Sequence, residues 1–240
     1  SLEVAVQGGE ALDQAVVEWL RERVDGIAVH EAYGQTEVGV FVGDCEALGV
    51  DHRPGRMGKP LPGSEVAVID PERPERVPDG EVGEIALRHE DNPMSFLEYW
   101  NDPEKTAAVR DDGWHRTGDL GTRHADGSLS FHSRKDDVIV TSGYRVGPDE
   151  IEETLSGHPG VAVAGVIGVP HGERGEVPKA FVVTTEDHDP NEGLREELQD
   201  HVKERLAKYE YPRELEFVEA LPRTTTGKIR RQSLREREGL

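Results

Sequence analysis

Apolar positions at Leu12, Ala15, Val16, Trp19 and Leu20 recur with the spacing of one helical face, so the sequence predicts an amphipathic helix over residues 10–24, ended by Gly26. A short apolar run at 27–30 follows as a strand and leads into 33–37. There a turn presents Thr36 and Glu37 at a strand's carboxyl end, where α/β sheets bind ligands. From residue 51 the texture changes to short β-type runs at 66–69, 82–87 and 128–131, separated by Leu61-Pro62-Gly63, Pro78-Asp79-Gly80 and the hairpin-type turn Asp126-Gly127. With one helix at 103–109, this stretch reads as a small antiparallel barrel or sandwich.

A third texture begins after Arg134. Strands at 138–141 and 144–146 flank the turn Ser142-Gly143, and a helix opens at Pro148 with Asp149 and Glu150 in its first turn. Strands follow at 161–169 and 180–184. Asp189-Pro190-Asn191-Glu192 then supplies an N-cap at Asp189, a proline at the first helical position and an acid three residues on, ahead of the stripe Leu194, Leu198, Val202 and Leu206. A strand at 215–218 and a basic terminal helix flank a glycine-containing loop with Lys228. The segment is an α+β unit, and its boundary falls near 134–137.

The 240 residues allow one large domain or two ordinary ones, burying roughly 70% of the unfolded surface. The sequence has no run of about eighteen apolar residues and no basic-then-apolar N-terminus, which predicts a soluble protein with neither membrane span nor secretory signal. The single Cys45 fits a reducing cytoplasm. Asp plus Glu number 49 against 28 Lys plus Arg, a net charge of -21, which repels nucleic acid. Acidic residues are scattered along the whole chain rather than gathered in a tail, and aromatic residues are 5% of it. The expectation is adaptation to high salt, where self-repulsion is screened, with a moderately acidic mesophilic enzyme as the alternative.

Four segments carry the candidate chemistry: Tyr33-Gly34-Gln35-Thr36-Glu37, Trp114-His115-Arg116-Thr117-Gly118-Asp119-Leu120-Gly121, Arg134-Lys135-Asp136-Asp137-Val138-Ile139, and Pro222-Arg223-Thr224-Thr225-Thr226-Gly227-Lys228-Ile229-Arg230. Thr36 and Glu37 offer a hydroxyl and a carboxylate for a phosphate oxygen and a hard cation. Asp119 follows a glycine that lets backbone approach a ligand, and its carboxylate can accept from two vicinal hydroxyls. A mobile ammonium at Lys228 can offset repulsion between two anions. Each segment alone reads as well as a surface turn, a structural ion pair or an exposed lysine.

In this order and spacing the four resemble the later core motifs of the adenylate-forming ligases, the superfamily of acyl-CoA synthetases, luciferases and peptide-synthetase adenylation domains. The phrases Gly-Gln-Thr-Glu and Ser-Gly-Tyr-Arg-Val-Gly-Pro-Asp-Glu-Ile-Glu look closest to acetyl- and medium-chain acyl-CoA synthetases. The resemblance implies that Tyr33 stacks on adenine, Thr36 contacts the α-phosphate and Glu37 binds Mg²⁺, while Gly8-Gly9-Glu10 line the adenine pocket. Asp119 and Arg134 would hold the ribose, Asp136 would be a hinge, Gly143 would line a pantetheine tunnel, Arg145 would reach phosphate, and Lys228 would drive adenylation. Family members usually have glycine before the arginine, and here Ser133 stands there.

The implied organisation is the end of a large α/β adenylate-binding domain over 1–50, a β-barrel-like subdomain over 51–133, a hinge at 134–137 and a mobile α+β lid over 138–240. The family's Ser/Thr/Gly-rich phosphate loop is not in the sequence, so the chain is expected to be the C-terminal half of a longer protein and inactive alone. The implied reaction turns a short- or medium-chain carboxylic acid into acyl-AMP and then acyl-CoA, with ATP, Mg²⁺ and coenzyme A. The alternatives are a ligase that loads a carrier protein and a non-catalytic nucleotide-binding module.

Overall fold

A computed structural model describes residues 2–9, 14–90, 92–225 and 227–240. Glu10 and Leu12 therefore lie outside the described residues. The chain divides into two compact units, Ser1–His132 and Ser133–Leu240. No helix among the described residues is long and apolar enough to cross a membrane.

The first unit opens with strand β1 (Val4–Gly8), helix α1 (Gln14–Arg23) and strand β2 (Ala28–Gln35), in which β1 and β2 pair in parallel with Gly8 opposite Ala32. Gly26, at φ +72°, turns the chain out of the helix, as its lack of a Cβ allows. The face α1 buries is not the expected one. Val17, Leu20 and Val24 pack with Ile27, Val29 and Ala5, while Val16 and Trp19 are exposed. Trp19 instead lies under the Arg23 guanidinium, 4.4 Å from its ring centre.

Strand β2 is longer than its apolar run, because Gly34 lets β3 (Gly39–Gly43) cross it closely: a Cβ at 34 would lie 2.1 Å from Gly39 O. Strand β4 (Lys59–Pro60) completes a sheet of order β1-β2-β3-β4. A second sheet has the order β5-β6-β8-β7, built from β5 (Val66–Ile69), β6 (Val82–Arg88), β7 (Arg110–Asp111) and β8 (Trp114–Arg123), with β9 (Leu129–Arg134) also on β8. In it β5–β6, β6–β8 and β7–β8 pair antiparallel. Helix α2 (Pro103–Ala108) is capped by Asp102, whose carboxylate accepts from Lys105 N. Phe41 and Val42 of β3 share one core with Val66, Val68, Ile85, Leu87 and Leu129.

In the second unit a five-stranded sheet has the order β11-β10-β13-β12, with β14 (Glu214–Phe217) pairing parallel to β13 (Gly175–Thr184). Its other strands are β10 (Ile139–Thr141), β11 (Tyr144–Val146) and β12 (Val161–His171). Two-residue alternation splits its side chains between faces. Val166, Ala180 and Val182 join the core of helices α3 (Pro148–Ser156) and α4 (Glu192–Lys203), while Ile167, Val177 and Phe181 join Leu221 and Leu234 of helix α5 (Arg231–Arg237). Helix α4 starts later than expected: its cap is Asn191, whose Oδ1 accepts from Leu194 N at 3.0 Å. Asn191 reaches that amide from an extended backbone, φ -151° and ψ 173°, which leaves Asp189 and Pro190 outside the helix.

Candidate functional site

The pairing of β6 with β8 slips between Glu84 and Ala86, which face Leu120 and Arg116, so Thr117-Gly118-Asp119 bulges opposite Ile85. Gly118 takes φ +71° at the bulge, a conformation that favours glycine. Two clamps fix it. Thr117 Oγ1 donates to Ile85 O at 2.7 Å, and buried Glu84 accepts from Gly118 N at 3.0 Å and from Arg116 Nη1 at 2.8 Å. The bulge sets the direction of Asp119, a carboxylate only 5% exposed.

Asp119 Oδ2 accepts from the Tyr33 hydroxyl at 2.6 Å and from Gln35 Nε2 at 3.0 Å. Gln35 Nε2 also donates to Thr117 O at 2.8 Å, and Gln35 Oε1 lies 3.2 Å from His115 Nε2. Two of the sequence motifs are thereby bound into one polar network. The Tyr33 ring packs edge-on to Phe41, with centroids 5.1 Å apart. Burial pushes the His115 imidazole down to about 4, against the pull of the Glu37 carboxylate, and His115 Nδ1 is buried with no hydrogen-bond partner.

Beside this network Gly8, Gly9, Gly34, Gln35 and Thr36 line a cleft of about 370 Å³ at the carboxyl ends of β1 and β2. Glycine is needed here for close approach, since a Cβ on Gly8 would stand 2.9 Å from Ala32 O. Thr36 is exposed in the turn after β2, and Glu37 next to it accepts from the Tyr99 hydroxyl at 2.8 Å. Among the described residues no three His, Cys, Asp or Glu side chains are grouped to hold a metal. Glu37 thus offers a lone carboxylate, suited to a cation that arrives with most of its shell on a phosphate ligand.

The remaining sequence-predicted residues belong to the second unit. Arg134 ends β9, and Ser133 before it is buried without a positive φ, so the backbone there has no need of glycine. Asp136 is exposed in a 3-10 turn, Lys135–Asp137. Ser142 and Gly143, at φ +51° and +85°, form the two-residue turn between β10 and β11, and a Cβ at 143 would meet nothing within 4 Å. Gly143 is therefore required by the turn geometry rather than by packing. Arg145 is exposed on β11, and Tyr144 stacks on Tyr209 with centroids 4.0 Å apart.

Lys228 is exposed on a loop closed by its own backbone: Thr224 N donates to Lys228 O at 2.8 Å and Lys228 N to Thr224 Oγ1 at 3.1 Å. Sequence reasoning singled out neither Gln35 nor His115, although both lie inside quoted motifs. Tyr99 and Glu84 carried no signal, because their partners are distant in sequence.

Residues 1–100 match the AMP-binding enzyme family and residues 150–228 the AMP-binding enzyme C-terminal domain. The chain is 44% identical over 243 residues to the mitochondrial acyl-coenzyme A synthetase ACSM4 of Homo sapiens, covering 99% of this chain and 41% of that protein. Among solved structures, ATP-bound MatB from Rhodopseudomonas palustris superposes with a TM-score of 0.84 at 35% identity, over 97% of this chain and 44% of the other. A benzoate CoA ligase from Burkholderia xenovorans LB400 gives 0.83 at 36% identity, over 97% and 45%. The chain spans less than half the length of the curated relatives it matches.

Proposed function

We propose, for a chain that belongs to the AMP-binding enzymes, that it is the C-terminal part of an ATP-dependent acid:CoA ligase. The observation that carries this reading is the Tyr33–Asp119–Gln35 network beside a cleft lined by Gly8, Gly9 and Thr36. It offers an aromatic ring, a hydroxyl-accepting carboxylate and a phosphate-sized turn within one unit, the set a nucleoside monophosphate needs.

In this reading Tyr33 stacks on adenine, Asp119 accepts from the ribose hydroxyls and Arg134 donates to them, and Thr36 donates to the α-phosphate. Gly8, Gly9 and Glu10 border the base. Glu37, which accepts from the Tyr99 hydroxyl, would hold Mg²⁺ arriving with the nucleotide, and the ion would supply charge neutralisation at the phosphates. Lys228 brings its ammonium to the attacking carboxylate and the α-phosphate, lowering repulsion as the acyl oxygen–phosphorus bond forms and pyrophosphate leaves. The segment 138–240 then turns about Asp136, and the CoA thiol, entering past Gly143 with Arg145 at a phosphate, displaces AMP. A short- or medium-chain acid is the substrate and a reducing, cytoplasmic setting suits Cys45. A carrier-protein thiol is the rival acceptor.

Calorimetric titration of the chain with AMP tests nucleotide recognition, and acyl-AMP formation by a longer ligase containing it tests the reaction. Loss of AMP binding in Asp119→Ala with wild-type binding intact is the expected result. A wild-type chain that ignores AMP, together with a longer ligase that makes no acyl-AMP, defeats the reading. Because the relatives are more than twice as long, the chain alone is expected to release no pyrophosphate from ATP.

A further inference from the structure

Lys228 is anchored indirectly. Its loop is closed on itself, Ile229 packs into the core under α5, and Gly165 of β12 lets that core close: a Cβ at 165 would sit 3.2 Å from Leu234 and 3.3 Å from Ile229. Two residues after Ile229, α5 begins at Arg231, whose side chain is only 13% exposed.

The Arg231 guanidinium is held by three carboxylates from two segments. It meets Glu152 of α3 in a bidentate pair, Nε to Oε1 at 3.0 Å and Nη2 to Oε2 at 2.7 Å, and Nη2 also donates to Asp149 Oδ1 at 2.8 Å. Its remaining arm, Nη1, donates to Asp137 Oδ2 at 3.0 Å, in the turn that contains Asp136. Arg235, one helical turn on, donates to Asp137 Oδ1 at 2.7 Å and to Asp136 O at 3.3 Å. Glu152 Oε1 further accepts from Val166 N at 2.7 Å, so the cluster is fixed to β12 as well.

The bonds to Asp149 and Glu152 join α5 to α3, and those to Asp137 join the Asp136 turn to the helix that follows Lys228. We infer that Arg231 is a positioning residue, locking the Lys228 loop and the Asp136 turn into one body so that displacement at the turn is delivered to the lysine without slack. The inference rests on the ligase reading above for its consequence, though not for its geometry. The charges around the guanidinium are Asp137, Asp149, Glu152 and Arg235. Burial raises Glu152 to about 7 and raises Asp149, against the downward pull of Arg231.

The test is amide hydrogen exchange on the 240-residue chain, in Arg231→Ala, Arg231→Lys and Asp137→Asn. Asp137→Asn keeps the pairs of Arg231 with Glu152 and Asp149, and therefore decides the matter if Arg231→Ala fails to fold. The expected result is exchange at 227–230 faster by about tenfold or more in Asp137→Asn, with Arg231→Lys between that variant and wild type. In a longer ligase containing the chain, Asp137→Asn should slow acyl-AMP formation about tenfold while KM for ATP and thioester formation from supplied acyl-AMP stay within about threefold. Faster exchange confined to 135–138, or equal slowing of both half-reactions, overturns the inference. If the loop responds while the unmodified ligase forms no acyl-AMP, the ligase reading fails and the coupling stands.

Discussion

The Tyr33 hydroxyl donates to Asp119 at 2.6 Å across 86 positions of sequence, joining the end of β2 to the bulge of β8. This bond and the proposed adenine stacking use different parts of Tyr33, and substitution can separate them. Tyr33→Phe keeps the ring and removes one donor from a buried carboxylate, which should cost about 1–3 kcal/mol in urea unfolding. Its affinity for AMP should stay within about threefold, whereas Asp119→Ala should weaken AMP by about tenfold or more by titration.

Lys228→Ala leaves the loop's backbone bonds intact and removes only the exposed ammonium. In a longer ligase containing this chain, adenylation should fall by about 10²- to 10³-fold while the thioester step from supplied acyl-AMP is spared. Stopped-flow measurement of both half-reactions checks the division, and equal slowing would refute it.

Asp136 lies in a 3-10 turn, and a proline there fixes φ near -65° while disfavouring helical geometry at Lys135. Asp136→Pro should therefore block movement at this turn and let acyl-AMP accumulate as a burst of pyrophosphate in a longer ligase containing the chain. Absence of a burst, with both steps slowed alike, would make Asp136 an ordinary connector.

His115 is held near pKa 4 in the folded protein by burial, with Glu37 and Asp119 pulling upward and His89 and Arg110 downward. Between about pH 6.5 and 4 the unfolded chain binds a proton that the folded chain refuses, so stability falls as pH falls, by at most about 1.4 kcal/mol per unit, and this contribution is flat above pH 7. Unfolding monitored by tryptophan fluorescence at pH 5 and 7 should show a smaller difference in His115→Asn. An unchanged difference would place the titration elsewhere.

The net charge of -21 leads to a salt prediction. Raising KCl from about 0.1 to 1 M shortens the screening length from about 10 to 3 Å, which should raise the thermal midpoint as carboxylate repulsion is relieved. Nucleotide affinity should weaken over the same range. A flat or falling midpoint would dismiss high-salt adaptation.

Elements whose pattern is local were legible in the sequence: 66–69 is β5, 144–146 is β11, and Pro103 and Pro148 begin α2 and α3. Strands β1, β3 and β8 were not read. The length of β8 and its bulge depend on pairing with β6 and on Glu84, 34 residues from Gly118. The buried face of α1 was assigned by spacing through Val16 and Trp19, whereas Val17 is the buried position and the Arg23 guanidinium covers the exposed indole. Candidate site residues inside local motifs were legible as candidates. Tyr99 and Arg231 were not, since their importance lies in partners 62 and 94 positions away.

Gln35 governs where protons reside around Asp119. Its Nε2 hydrogens point at Thr117 O and Asp119 Oδ2, so the oxygen turned to His115 can only accept. His115 must then carry its hydrogen on Nε2 and keep Nδ1 as a bare lone pair, a single tautomer imposed by an amide. Glutamate at 35 would have the same shape, yet it would set a second carboxylate against Asp119 and invite an imidazolium at 115. The amide is thus what keeps one proton configuration in force around His115.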